Sequence, residues 1–155
     1  MVTVAYLTSV RWLLVTAFAS LGVMPGLFYN VKPFRLKKRP LGEFVVFAIW
    51  GSLIVSGTYY TLTGCLDLNA VLASISVGLL VSAVLLANNI RDFKNDLKKR
   101  AKTLAVILGY AAASMLYILL LTLAYLLLIL LVIFEILSLT SLLALLTISK
   151  GIKID

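Results

Sequence analysis

The sequence contains no histidine, one cysteine, three prolines and only six acidic residues in 155. Without histidine the chain lacks the usual general base near neutral pH and the commonest metal ligand. With Cys65 alone there is neither an intrachain disulfide nor a cysteine-based metal site. Charged residues make up 13% of the chain, about half the share of a soluble domain. Any chemistry must therefore come from carboxylates, cations, amides and hydroxyls. What fills the gap is apolar: 63% of the residues are hydrophobic, more than a soluble globule of this size can bury. The composition specifies an all-α, polytopic membrane bundle and excludes a soluble globule, a disordered chain and a disulfide scaffold.

A helix needs about 20 mostly apolar residues to cross a bilayer. The first candidate runs from about Trp12 to Tyr29, loosened near its end by Gly22, Pro25 and Gly26. Further spans are expected over Phe44–Leu62 and Leu68–Ile90. Between Thr103 and Ser149 the only charge is Glu135. As one helix this tract would be about 70 Å long, more than twice a hydrocarbon core, so two spans with a turn near Phe134–Thr140 are expected. The total is five. Residues 1–11 carry no basic segment ahead of an apolar one, so they do not read as a signal peptide but as the end of something upstream.

Five spans put residues 30–43, 91–102 and 150–155 on one side of the membrane. Those segments hold thirteen of the fourteen Lys and Arg residues, leaving only Arg11 opposite. The asymmetry marks that side as cytoplasmic and accounts for the net charge of +8 as a membrane-facing basic side rather than a nucleic-acid surface. Small residues at helix-packing spacing, Ser74, Gly78 and Ser82 with Ser52 and Ser56, are read as bundle contacts.

The stretch from Asn88 to Lys102 carries the chemistry. Asn88, Asp92 and Asp96 are spaced i, i+4, i+8 and share one face of a helix that runs past the membrane. Two carboxylates one turn apart, with cations around them, suit Mg²⁺ shared with substrate phosphates. Arg91, Lys94, Lys98, Lys99 and Lys102 supply the cations. The competing reading is a solvated basic loop whose acids pair with neighbouring lysines. Asn88 and Asn89 at the end of an apolar helix favour function, because polar groups there are costly. The loop from Tyr29 to Glu43, with Lys32, Arg35, Lys37, Lys38 and Arg39, emerges on the same side. It is either a lipid anchor or a second set of phosphate contacts. Trp50, Tyr59 and Tyr60 are either core residues or a wall for an isoprenoid or an aromatic ring.

The pattern Asn88-Asn89-x-Arg91-Asp92-x-x-x-Asp96, followed by Lys102-Thr103-Leu104-Ala105 and Leu108-Gly109, resembles the second aspartate-rich motif of the UbiA superfamily of intramembrane prenyltransferases. The Asn-Asn-x-Arg-Asp form is most similar to the branch acting on 1,4-dihydroxy-2-naphthoate in menaquinone biosynthesis. Tyr29, Asn30, Pro33, Leu36 and Lys37, then Leu41-Gly42-Glu43 and Gly57-x-Tyr59-Tyr60, resemble the segment before that motif.

The resemblance implies transfer of a polyprenyl group from a polyprenyl diphosphate to an aromatic acceptor, with Mg²⁺ as cofactor. It implies Asp92 and Asp96 as metal ligands, supported by Asn88, Asn89 and Arg91. Lys37, Arg35, Lys102 and Lys98 are the expected diphosphate contacts. Family members carry two such motifs on a bundle of about nine helices, and no acid precedes Glu43 to make the first. Residues 1–155, a single integral membrane domain, are thus expected to be a partial copy, catalytically weak or dead alone because half the magnesium ligands are missing, and a partner chain carrying the first motif is one way to supply them. The alternatives are a non-catalytic remnant, half of a split prenyltransferase, or a small membrane anchor or transporter.

Overall fold

The computed structural model describes residues 40–147 and, before them, Thr16, Ala17, Ser20, Leu21 and Val23, all helical. The rest of the expected first span, most of the basic loop after it and residues 148–155 lie outside the described residues.

Every described element is helical. Helix α1 (Gly42–Val46) continues through a π-helical stretch (Phe47–Leu53) into α2 (Ile54–Thr63). Helix α3 covers Leu68–Arg91, α4 Phe93–Lys98, α5 Leu104–Leu108 and α6 Tyr110–Ile133, and a 3₁₀ segment follows over Leu139–Thr147. Three of these stretches are long and apolar enough to cross a membrane: Gly42–Thr63, Leu68–Arg91 and Tyr110–Ile133. The chain is membrane-embedded, and its second and third expected spans lie within a few residues of the observed helices.

Helix α3 is the centre of the bundle, packing against α6 on one side and against α1 and the π-helical stretch on the other. Its start is set by Asp67, an extended N-cap whose Oδ1 accepts from the Asn69 amide at 3.1 Å. Its small residues do what their spacing suggests: Ser74, Gly78 and Ser82 are all buried. At Gly51 the two backbones nearly touch, since a Cβ there would lie 2.5 Å from the Gly78 Cα. Ser76 Oγ donates to the Ala124 carbonyl at 3.1 Å, tying α3 to α6. Such interhelical bonds are worth about 0.6 kcal/mol each in a membrane. Many large apolar residues of α6, among them Met115, Ile118 and Leu126, are exposed in the bundle and suit contact with lipid or further helices.

The tract after Thr103 departs from expectation twice. It is broken at Gly109, with φ +83° and ψ 159°, a conformation open essentially to glycine alone. The turn after α6 falls where expected, but the second span beyond it does not appear among the described residues. A 3₁₀ segment of nine residues stands there, about 18 Å long and too short to cross. Ser138 just precedes this segment and Thr140 and Ser141 lie at its start, and hydroxyls that bond locally compete with α-helical pairing. The Ser138 and Thr140 hydroxyls bond each other at 2.5 Å.

Candidate functional site

The core cluster lies directly beneath the end of α3 that carries the expected site residues. Ala83, Leu86 and Ile90 pack with Ala105, Ala113 and Tyr117, and Phe93 and Leu104 close over them. The Phe93 ring meets Tyr110 edge-on, with centroids 5.9 Å apart, pinning α4 to the start of α6. Segment 88–105 is thus a short polar structure on an apolar base.

Asp92 interrupts the helix only slightly. Its φ and ψ are −86° and 5°, and helical hydrogen bonding continues through it. The Asp92 amide donates to the Asn88 carbonyl at 3.0 Å, and the Asp96 amide to the Asp92 carbonyl at 2.9 Å. Asn88, Asp92 and Asp96 therefore stay stacked one turn apart.

Asp96 is held from behind as well. The Ala101 amide donates to the Asp96 carbonyl at 2.9 Å and the Arg100 amide to the Leu97 carbonyl at 3.1 Å. That pairing is a Schellman motif, with Arg100 at φ +50° in the left-handed position usually given to glycine. The reversal points the chain back so that Ala101 and Thr103 are buried and α5 packs on the core.

The side chains divide by exposure. Asn88, Asp92, Lys94, Lys98, Lys99, Arg100 and Lys102 are exposed, and Asp96 is half-buried. Arg91 Nε lies 3.8 Å from Asp92 Oδ1, with both side chains more than half exposed, so the pair adds little stability and leaves the carboxylate free to bind elsewhere. Arg35 and Lys37 lie outside the described residues. Among the described residues no three His, Cys, Asp or Glu side chains form a metal cage. Two stacked carboxylates remain, which fits an ion that takes one or two carboxylates and completes its shell with phosphates and water. The donor set suits Mg²⁺ shared with a ligand.

Asn89 points the other way. It is buried, and its Nδ2 donates to Glu43 Oε1 at 2.7 Å. Glu43, also buried, accepts from Ser82 Oγ through its backbone carbonyl at 2.9 Å. Sequence reasoning missed Glu43. The available signal was an acid next to an apolar span, on the side to which α3 returns. A cavity of about 600 Å³ opens at the opposite end of the bundle, between α2, the start of α3 and Glu135–Leu137. Tyr59 lines it and donates to Asp67 Oδ2 at 3.3 Å, whereas Trp50 is exposed. The cavity is roughly 30–40 Å along α3 from the carboxylates and is separate from them.

A family model described as the UbiA prenyltransferase family matches residues 1–154. The chain belongs to this family. It is 40% identical over 113 residues to a 1,4-dihydroxy-2-naphthoate octaprenyltransferase of Haemophilus influenzae, an alignment covering 70% of this chain and 36% of that protein. A protein of the same description from Bacillus subtilis is 33% identical over 67% of this chain and 33% of its own length. One from Mycobacterium leprae is 37% identical over 72% and 37%. The chain thus spans about a third of the length of the curated relatives it matches. No solved structure matches it.

Proposed function

We propose that this chain supplies one wall of a prenyltransferase site, binding a polyprenyl diphosphate through Mg²⁺ for transfer to 1,4-dihydroxy-2-naphthoate. The observation that carries the reading is the Asn88–Asp92–Asp96 edge, stacked on an apolar core and ringed by exposed cations. Family membership and the relatives' descriptions supply the donor and acceptor classes.

Asp92 and Asp96 would hold the ion, and Asn88 would extend the same edge as a neutral oxygen or amide contact. Arg91, Lys98 and Lys102, with Arg35 and Lys37 from the preceding loop, bind the outer diphosphate oxygens. Mg²⁺, when bound, neutralises charge on the diphosphate as it leaves. The allylic C–O bond breaks, the diphosphate takes the electron pair, and the acceptor ring forms the new C–C bond and loses a proton. The protein's part is to place fixed charge where negative charge accumulates, at a membrane surface that shields the tail from water. The concentration of cations on this side supports a site at the cytoplasmic face. A partner chain bearing a second set of carboxylates would complete the metal shell.

The test is binding of inorganic pyrophosphate to the purified chain, by calorimetry with and without Mg²⁺. Binding should require Mg²⁺ and disappear in Asp92→Ala/Asp96→Ala. Equal binding by that variant would remove the carboxylates from the site and favour a basic anchor.

A further inference from the structure

Glu43 is one residue that grips α3 at two heights. Its backbone carbonyl accepts from Ser82 Oγ and its Oε1 accepts from Asn89 Nδ2. Ser82 and Asn89 are seven residues apart, two turns along one face of the helix. Two contacts on one face fix both the height of α3 against α1 and its rotation about its own axis.

Rotation is what matters at the site. Successive residues on a helix are about 100° apart, so turning Asn89 into the bundle turns Asn88 toward the exposed side, with Asp92 and Asp96 stacked above it. Asn88 and Asp92 are exposed while Asn89 and Ile90 are buried. The bond is costly as a stabiliser. A carboxylate that is 6% exposed loses its hydration, and Oε2 has no hydrogen-bond partner among the described residues. An apolar pair would hold the helices together at less cost but would leave the rotation loosely set.

We infer that Glu43 is a positioning residue, whose bond to Asn89 fixes the direction in which the Asn88–Asp92–Asp96 edge faces. The inference rests on the proposed reading of that edge as the diphosphate and metal wall. It also assigns Asn89 to the bundle side of the site rather than to the ion.

The test compares the whole chain, purified in detergent, with Glu43→Ala, Glu43→Gln, Asn89→Asp and the double variant Glu43→Gln/Asn89→Asp. Amide exchange is followed by mass spectrometry over residues 88–96, with residues 113–128 of α6 as the internal reference. Pyrophosphate affinity in Mg²⁺ is measured in parallel. Glu43→Ala should raise exchange over 88–96 and weaken pyrophosphate binding, each by about tenfold, the loss expected for a hydrogen bond to a charged group. Glu43→Gln keeps an acceptor oxygen opposite Asn89 and should recover most of both losses. Asn89→Asp sets two carboxylates against each other and should behave like Glu43→Ala. The double variant reverses donor and acceptor and should recover both readouts, so the swap decides the matter even if Glu43→Ala does not fold.

Unchanged exchange in Glu43→Ala and Asn89→Asp overturns the inference, as does a double variant no better than Asn89→Asp. Faster exchange with unaltered pyrophosphate affinity also overturns it, because the contact would then be structural only. A wild-type chain that binds no pyrophosphate sinks the proposed function instead, and the exchange arm still decides whether Glu43 sets the helix end.

Discussion

The close backbone approach between Gly51 and Gly78 gives a sharp expectation about two glycines that look equivalent in sequence. A Cβ at Gly78 would meet backbone only at 3.1 Å, at the Phe47 carbonyl oxygen, and its two nearest neighbours are the Cδ2 and Cε2 of Phe47 at 2.8 and 2.9 Å. Those are atoms of a ring that can swing, and Phe47 only stacks loosely on Phe44, with centroids 6.4 Å apart. A Cβ at Gly51 would instead lie 2.5 Å from the Gly78 Cα, 2.9 Å from its nitrogen and 3.0 Å from the Ser74 carbonyl oxygen. Backbone cannot swing, so the π-helical stretch and α3 must separate by about 1 Å to restore ordinary contact. A gap of that size forfeits a quarter to a half of each dispersion contact, and over some tens of atom pairs the loss is about 2 kcal/mol. Strained geometry in the Ser82–Glu43 bond adds about 0.6 kcal/mol. Alanine's helix preference returns about 1 kcal/mol at either position. Gly51→Ala should therefore cost about 2 kcal/mol net, and Gly78→Ala should stay within about 1 kcal/mol of neutral, the ring absorbing the lower end of the usual overpacking cost. Unfolding in mixed dodecylmaltoside and dodecyl sulfate micelles, followed by far-ultraviolet circular dichroism, measures both. If Gly78→Ala unfolds as early as Gly51→Ala, the distinction between ring and backbone contact is wrong.

Other consequences can be measured on the same preparation. Gly109→Ala should destabilise the chain by about 1–3 kcal/mol even though the added methyl meets nothing within 4 Å, because the cost is conformational. A neutral result would mean that α5 and α6 can join into one helix. Arg100→Gly and Glu135→Gly should each stabilise by up to about 1 kcal/mol, since both residues sit at positive φ in helix-ending turns. A loss of stability in both would show that the side chains, not the backbone, hold those turns. Lys98→Gln/Lys102→Gln should weaken Mg²⁺-dependent pyrophosphate binding severalfold at low ionic strength, with the difference shrinking by 0.5 M salt as exposed charges are screened. A salt-independent difference would contradict the exposed placement of these lysines.

Length and apolarity made the spans legible. The stretches expected over Phe44–Leu62 and Leu68–Ile90 are helical in the structure, because a charge-free run of that length has few alternatives in lipid. The turn after α6 was legible from length alone, although no glycine marks it. Glu135 takes glycine's place at φ +59°, with its amide bound to the Val132 carbonyl and the Ile136 amide to the Leu131 carbonyl. The break at Gly109 was not legible. A single glycine in a long apolar tract reads as helix, and only the reversed chain after Arg100 requires the corner. The 3₁₀ segment was hidden for a similar reason, since its leucines match a spanning helix and only its hydroxyls argue otherwise.

The site divides along the same line. Spacing of four places Asn88, Asp92 and Asp96 on one edge without reference to anything distant, and the structure keeps them stacked. Which way that edge faces is a tertiary fact. It depends on a residue 46 positions away, and neither periodicity nor charge pairing links Glu43 to Asn89. A helix with apolar residues all round has little preference for one rotation over another in lipid, where van der Waals packing rather than hydrophobic burial decides between rotations. Buried polar contacts supply that preference, and α3 makes them to both neighbours: Ser82 and Asn89 toward α1, Ser76 toward α6. All three are ordinary-looking polar residues in an apolar run. Their cost in lipid is repaid in orientation rather than in stability, so in such a helix the polar residues that never meet a ligand can determine where the ligand-binding ones face.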